Sequence, residues 1–278
     1  MRAAAIKSLL AGIGAACLAS ACAATELTPP PQTDSKGWIV TVSVIGAVRP
    51  SFPGSSDMTG YPFPAVAFRR VGEPETFSTP DEGFGLDILD LGYVKAGPVA
   101  NFTFQRGRQP ELFGLHTVGL THEVGGFVEA YPIDHFRVRA EMRQGVDGHK
   151  GFVAAFYADA YESLGPFRLS VGPRLNFGDN TYANAYFSVT PFEALLNGRL
   201  TPYQATGGFT AAGGMATARY AINDLTSVSV YGGGQRLLGS VGSSPIPNIV
   251  GSRNQFNAGL AVSRSFIVNP EAWLPGVF

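Results

Sequence analysis

Hydrophobic and polar residues alternate with period two along most of this chain, and helical periodicity is weak. In residues 135–143, His135, Arg137, Arg139, Glu141 and Arg143 share one face, while Phe136, Val138, Ala140 and Met142 share the other. Residues 93–105 set Lys95, Asn101, Thr103 and Gln105 against Val94, Ala96, Ala100, Phe102 and Phe104. Residues 167–177 set Arg168, Ser170, Arg174 and Asn176 against Phe167, Leu169, Val171, Leu175 and Phe177. Residues 152–161 turn Asp159 away from Phe152, Ala154, Phe156 and Ala158, and the last strand lines up Phe256, Ala258, Leu260, Val262 and Phe266. One face is polar or charged and the other wholly apolar, as a wall between water and a second solvent requires.

The connections alternate as well. Residues 132–134, 164–166 and 223–224 are tight turns, and the longer loops 106–115, 145–150, 178–204 and 239–252 fall between them. Segments of about ten residues are long enough for a tilted strand to cross a bilayer. Short turns on one side and long loops on the other are the habit of antiparallel outer-membrane barrels. The pattern therefore predicts an all-β, antiparallel transmembrane β-barrel over residues 37–266. Upstream, residues 37–48, 61–71, 74–79 and 83–89 bring the total to about twelve strands, or ten if 74–89 is not a hairpin. Pro62, Pro64, Pro74 and Pro80 make this region irregular, because proline cannot donate to a ladder.

Composition changes the picture little. Charged residues are 15% of the 278, against roughly 25% in soluble domains. Glycine is abundant, with 35 residues, and the net charge of −1 gives no reason to expect a nucleic-acid partner. The start of the chain reads as an export signal over residues 1–23. Arg2 and Lys7 precede an uncharged run of small apolar residues, and both Ala19-Ser20-Ala21 and Ala21-Cys22-Ala23 fit a cleavage site. Cys22 is also a candidate for lipidation, although Ala19 stands where such signals usually carry Leu. Cleavage after Ala23 would leave a chain without cysteine. Residues 24–36, with several Thr and Pro, are expected to form a flexible lead-in.

The charged face should line the lumen. If the turn at 132–134 pairs Tyr131 with His135, Glu129 lies opposite Arg137 and Glu123 opposite Arg143, and Asp159 falls near Arg168 across the next turn. Opposite charges across neighbouring strands favour such a register by about 0.2–1 kcal/mol each. The expectation is a narrow lumen crossed by arginine–carboxylate pairs; the alternative is a wide pore in which the same charges are solvated. Candidate chemistry is sparse. Asp147-Gly148-His149 offers a base in a loop, but Gly145, Gly148 and Gly151 explain that stretch as a tight hairpin. His122 falls unexpectedly on the apolar face. No metal-ligand spacing, cofactor motif or phosphate loop is present, and Gly207-Gly208 and Gly232-Gly233-Gly234 lie within strands.

Several short stretches carry a family likeness. They are 49–55 (RPSFPGS), 97–102 (GPVANF), 139–145 (RAEMRQG) with 148–151 (GHKG), 170–174 (SVGPR), 185–191 (AYFSVTP), 243–246 (SSPI) and 251–256 (GSRNQF). In this order they resemble the MipA/OmpV family of outer-membrane proteins across almost the whole mature chain. The resemblance implies a non-enzymatic barrel in the outer membrane, surrounded by outer-membrane lipid, with no catalytic residue to carry over. Its best-known member, of the MltA-interacting type, brings a murein transglycosylase and a murein synthase together; other members are linked to adhesion. A narrow small-solute channel or an adhesin, and more remotely a barrel hydrolase, are the competing readings. The family pattern ends on an aromatic, here Phe266, so residues 267–278 are expected to form a C-terminal extension on the periplasmic side.

Overall fold

The computed structural model describes residues 37–73 and 75–269. The expected export signal and lead-in, the lipidation candidate Cys22 and most of the expected C-terminal extension lie outside the described residues. The alternating segments form one antiparallel sheet. Its strands are β1 (Trp38–Pro50), β2 (Met58–Arg70), β3 (Phe84–Gly85), β4 (Leu89–Asp90), β5 (Val94–Thr103), β6 (Thr121–Ile133), β7 (Phe136–Gly145), β8 (Phe152–Leu164), β9 (Phe167–Gly178), β10 (Gly208–Asn223), β11 (Thr226–Leu237) and β12 (Asn254–Val268). The order is β2-β1-β12-β11-β10-β9-β8-β7-β6-β5-β3, with β4 also on β5. First and last long segments meet, Val40 lying opposite Phe266 and Trp38 opposite Val268, so β12 runs two residues past the expected Phe266.

Ten strands have 10 to 16 residues, whereas β3 and β4 have two each. The expected hairpin over 74–89 is thus corrected. Residues 75–83 fold inward, and β3 and β4 then run back along β5 to its start. The sheet curls, but among the described residues no backbone ladder joins β2 to β3, β4 or β5. The two sides approach through side chains near the long-loop end, where the rings of Tyr61 and Phe104 are 4.8 Å apart. Prolines 62 and 64 sit on this edge strand, where missing donors cost least.

The two faces differ as the alternation requires. Outward positions such as Val44, Val66, Val128, Met142, Phe156, Val171, Leu260 and Val262 are exposed and apolar. Trp38, Phe68, Phe167, Tyr220 and Phe266 add exposed aromatics toward the short-turn end, and Phe209 and Phe256 toward the other. In water such a belt would be a large exposed apolar surface; against lipid it is the solvated face.

The long loops form a cap. In it α1 (Asn180–Phe187) and α2 (Pro191–Asn197) are short helices with proper starts. Asp179 accepts from the Tyr182 N–H, and Thr190 and Glu193 form a reciprocal capping box, while Gly198 ends α2 in the left-handed conformation at φ 71°. Tyr186, Phe187 and Ile246 are fully buried there, so the cap has an apolar core of its own.

Candidate functional site

The inner faces of β6–β9 bring four arginines to one side of the lumen. Period two places Arg137, Arg139 and Arg143 at alternate positions of β7, and Arg174 projects inward from β9. Facing carboxylates come from β6, β7 and β8. Arg139 Nη1 donates to Glu129 at 2.8 Å and its Nε to Glu141 at 2.9 Å. Arg143 Nε donates to Glu123 at 2.8 Å, and its Nη1 to Glu141. Arg137 Nη2 donates to Asp159 at 2.8 Å, while Arg137 Nη1 lies 3.5 Å from Glu129. Arg174 Nη1 sits 2.8 Å from Asp159 Oδ1, a charge contact off the hydrogen-bond direction. These groups are buried, Arg137, Glu141 and Asp159 completely.

The inward segment completes this lattice. Glu82 receives both Arg137 and the Thr79 hydroxyl, and Asp81 receives Arg174 Nε at 2.6 Å. The Phe77 carbonyl accepts from Arg137 Nη1 at 3.1 Å, and the Phe77 ring lies 4.7 Å from that guanidinium. The backbone N–H of Gly83 donates to Glu141 at 3.2 Å, and a Cβ there would come within 2.5 Å of Val99. At the short-turn end Glu75 takes Arg168 at 3.4 Å and Arg219 as well. Residues 75–83 therefore occupy the lumen as a plug fastened by charge. Nothing in the 74–83 stretch announced this, because acidic residues close to prolines read equally well as a surface loop.

The expected register needs correction. Ile133 pairs with Phe136 across a two-residue turn, His135 adopts φ 62°, and an irregularity lies between Ala130 and Ile133. Glu129 consequently sits opposite Arg139 and Glu123 opposite Gly145. Long side chains span the offset, so Glu123 still meets Arg143 and Glu129 still lies near Arg137. Asp159 does not pair with Arg168: it lies opposite Arg137 on β7, and Ser163 stands opposite Arg168.

His149 is buried and fully engaged. Its Nε2 is 3.1 Å from Glu123 and its Nδ1 accepts the Gly151 N–H at 3.0 Å, so neither nitrogen is free to serve a substrate. His122, on the outer face, is exposed and holds Asp147 at 2.9 Å beside the loop, which accounts for a histidine on the apolar side. In the cap, a cavity of about 780 Å³ is lined by His116, Lys150, Glu193 and Tyr203 among others. Burial works to raise the Glu193 carboxyl, but the N–H groups of Thr190 and His116 and the His116 ring outweigh it and hold it at about 2. Burial lowers the Arg106 guanidinium to about 10, although its N–H groups reach the carbonyls of Tyr186 at 2.6 Å and His116 at 2.9 Å.

The family model for MltA-interacting protein MipA matches residues 42–266. Among solved structures, the chain is similar to the COG4313 outer membrane channel from Pseudomonas putida F1, with 9% identity, 85% of this chain and 99% of that one covered, and a TM-score of 0.44. It is also similar to Neisserial surface protein A, with 9% identity, 82% and 97% covered, and a TM-score of 0.26. The outer membrane protein OprG from Pseudomonas aeruginosa follows with 10% identity, 84% and 96% covered, and a TM-score of 0.21. No curated protein matches the chain. With its lipid-facing belt and the family match over most of its length, the chain belongs to the MltA-interacting protein MipA family and is an outer-membrane β-barrel protein.

Proposed function

We propose that this protein is a non-enzymatic outer-membrane barrel with a structural or scaffolding role, acting through its surfaces on complexes of a murein transglycosylase and a murein synthase. The observation that carries the reading is the plugged lumen. Arg137 is wholly buried between Glu82 of the plug and Asp159 of the wall, so the interior is occupied by the protein itself. Opening it would require separating these buried opposite charges. A barrel filled in this way offers its turns, loops and rim rather than a passage. The family supports the partner class, since its description is that of a protein that interacts with a murein transglycosylase.

The experiment is co-purification from detergent-solubilised outer membranes, with the two murein enzymes detected in the eluate. Retention of both is expected, and it should persist when residues 270–278 are deleted, a cut that leaves all of β12 in place, if the barrel itself is the platform. Failure to retain either enzyme, together with large-pore conductance in planar bilayers at neutral pH, would replace the scaffold by a channel.

A further inference from the structure

A separate cavity of about 280 Å³ lies in the lumen on the long-loop side of the arginine–carboxylate lattice. Its wall includes Arg49 near the end of β1, Asn101 on β5, and Asn257 on β12. Every other inward arginine of the lattice has carboxylate partners. Arg49 has none: no described residue accepts a hydrogen bond from its guanidinium, and its Nη2 is buried without a partner. Only aromatic faces attend it. Phe104 lies 3.5 Å from the guanidinium carbon, Tyr61 4.9 Å and Phe102 5.8 Å. Rings of this kind hold a cation over their faces but leave its in-plane N–H donors unused.

The rest of the wall is rich in donors as well. Asn101 uses its carbonyl on the Phe102 N–H, which leaves its amino group without a described acceptor. The Asn257 amide makes no hydrogen bond to a described residue. Glu123 reaches the same cavity, but its charge is taken up by Arg143 at 2.8 Å, Thr103 at 2.5 Å and His149 at 3.1 Å. The cavity thus carries one cation with no ion-pair or hydrogen-bond partner and a planar fork of donors, two idle amides and apolar walls from Phe52 and Phe104. A guanidinium fork matches a carboxylate in two parallel hydrogen bonds.

We infer that this cavity is a binding site for a small organic monocarboxylate, with the carboxylate on Arg49 and Asn257 and the apolar part against Phe52 and Phe104. The volume admits one ring or a short chain. The site stands apart from the scaffold reading, since no murein enzyme is needed to fill it.

Isothermal titration of the full-length protein in detergent tests this, with benzoate, inorganic phosphate and glucose as probes. Benzoate is expected to give saturable one-site binding, glucose none, and phosphate at most weak heats. Arg49→Gln should weaken benzoate at least tenfold. If heat-modifiable electrophoretic migration shows that Arg49→Gln does not fold, Asn257→Asp takes its place. It sets a second negative charge against the ligand and should weaken benzoate by a similar factor. Benzoate binding unchanged by whichever of these variants folds would overturn the proposal. So would glucose binding equal to benzoate, and phosphate binding without benzoate would overturn the carboxylate assignment.

Discussion

The two sides of the lumen are built from the same alternation and do opposite things. On β6–β9 the inward positions carry Glu123, Glu129, Arg137, Arg139, Glu141, Arg143, Asp159 and Arg174. On β10–β12 and β1 they are mostly small: Gly213, Ser227, Ser229, Gly233, Gly259, Ala261, Ser263, Ser265, Thr41 and Ser43. Hydroxyls there simply meet their neighbours across the ladder, Thr41 with Ser265 at 2.8 Å and Ser43 with Ser263 at 2.7 Å. The charged side reaches out and fastens most of the plug, with Arg219 of β10 adding one contact to Glu75 at the short-turn end; the small side keeps the space in which the plug lies. A period of two says which residues face inward. It does not say whether the interior they face is water or another part of the chain.

The largest way to break this contrast is Arg137→Ala. It leaves Glu82 and Asp159 buried without their shared cation, and a loss of about 3–5 kcal/mol is expected. Ser43→Ala on the opposite wall removes one neutral hydrogen bond and should cost about 1 kcal/mol. Urea unfolding of the two variants in the same detergent measures both. Equal effects would mean that the buried lattice is no more consequential than the hydroxyl ladder.

A gentler probe acts through glycine. A Cβ on Gly97 would lie 1.8 Å from the Leu86 carbonyl oxygen, backbone that cannot swing aside, because Leu86 N–H is bonded to the Pro98 carbonyl at 3.1 Å. On the small-residue wall a Cβ on Gly259 would meet the Tyr231 ring at 2.4 Å, a side chain that can turn away. Gly97→Ala is therefore expected to cost about 1–3 kcal/mol, at the level of an overpacked core, and to loosen the plug. Gly259→Ala should cost less. Limited proteolysis of residues 75–83 should accelerate in the first variant alone; acceleration in both would show that the plug does not depend on its seat against β5.

Much of the wall was legible in the sequence, and the interior was not. The strands around Arg139 and Arg174 announce themselves because each alternates over ten residues or more and ends in a recognisable turn. Residues 75–83 alternate poorly because they serve the lumen, not the lipid. Their partners are the long side chains of Arg137 and Arg174, more than fifty positions away, and no local period encodes that meeting. The register around Glu129 slipped for a related reason. Turn residues 132–134 suggested where the hairpin bends, but the two-residue connection through His135 at positive φ depends on local backbone geometry that hydrophobic pattern does not carry. Arg49 was hidden too: an arginine next to proline at a strand end gives no sign that the rings of Tyr61 on β2, Phe102 on β5 and Phe104 just beyond it will surround it.

The smallest expected effect sharpens the comparison at the mouth of the barrel. Glu193 is a carboxylate held mainly by backbone N–H groups of the cap, with the His116 ring at 2.7 Å, whereas the lattice carboxylates are held by arginines. Its folded value of about 2 lies below the ordinary 4.5, so its ionised form stabilises the cap fully above about pH 4.5, and that contribution is lost as the pH falls toward 2. Glu193→Gln keeps the side-chain oxygen of the capping box but removes the charge. At neutral pH it should cost no more than about 0.5–2 kcal/mol, the range for losing a helix cap. Between pH 4.5 and 2 the gap between wild type and variant should close, because both then present a neutral side chain. Thermal melts across that range, followed by the helical signal of the cap, measure it. A gap that stays constant with pH would mean that Glu193 acts through shape alone. A barrel mouth and a barrel interior would then differ only in where their carboxylates sit, not in what their charge contributes.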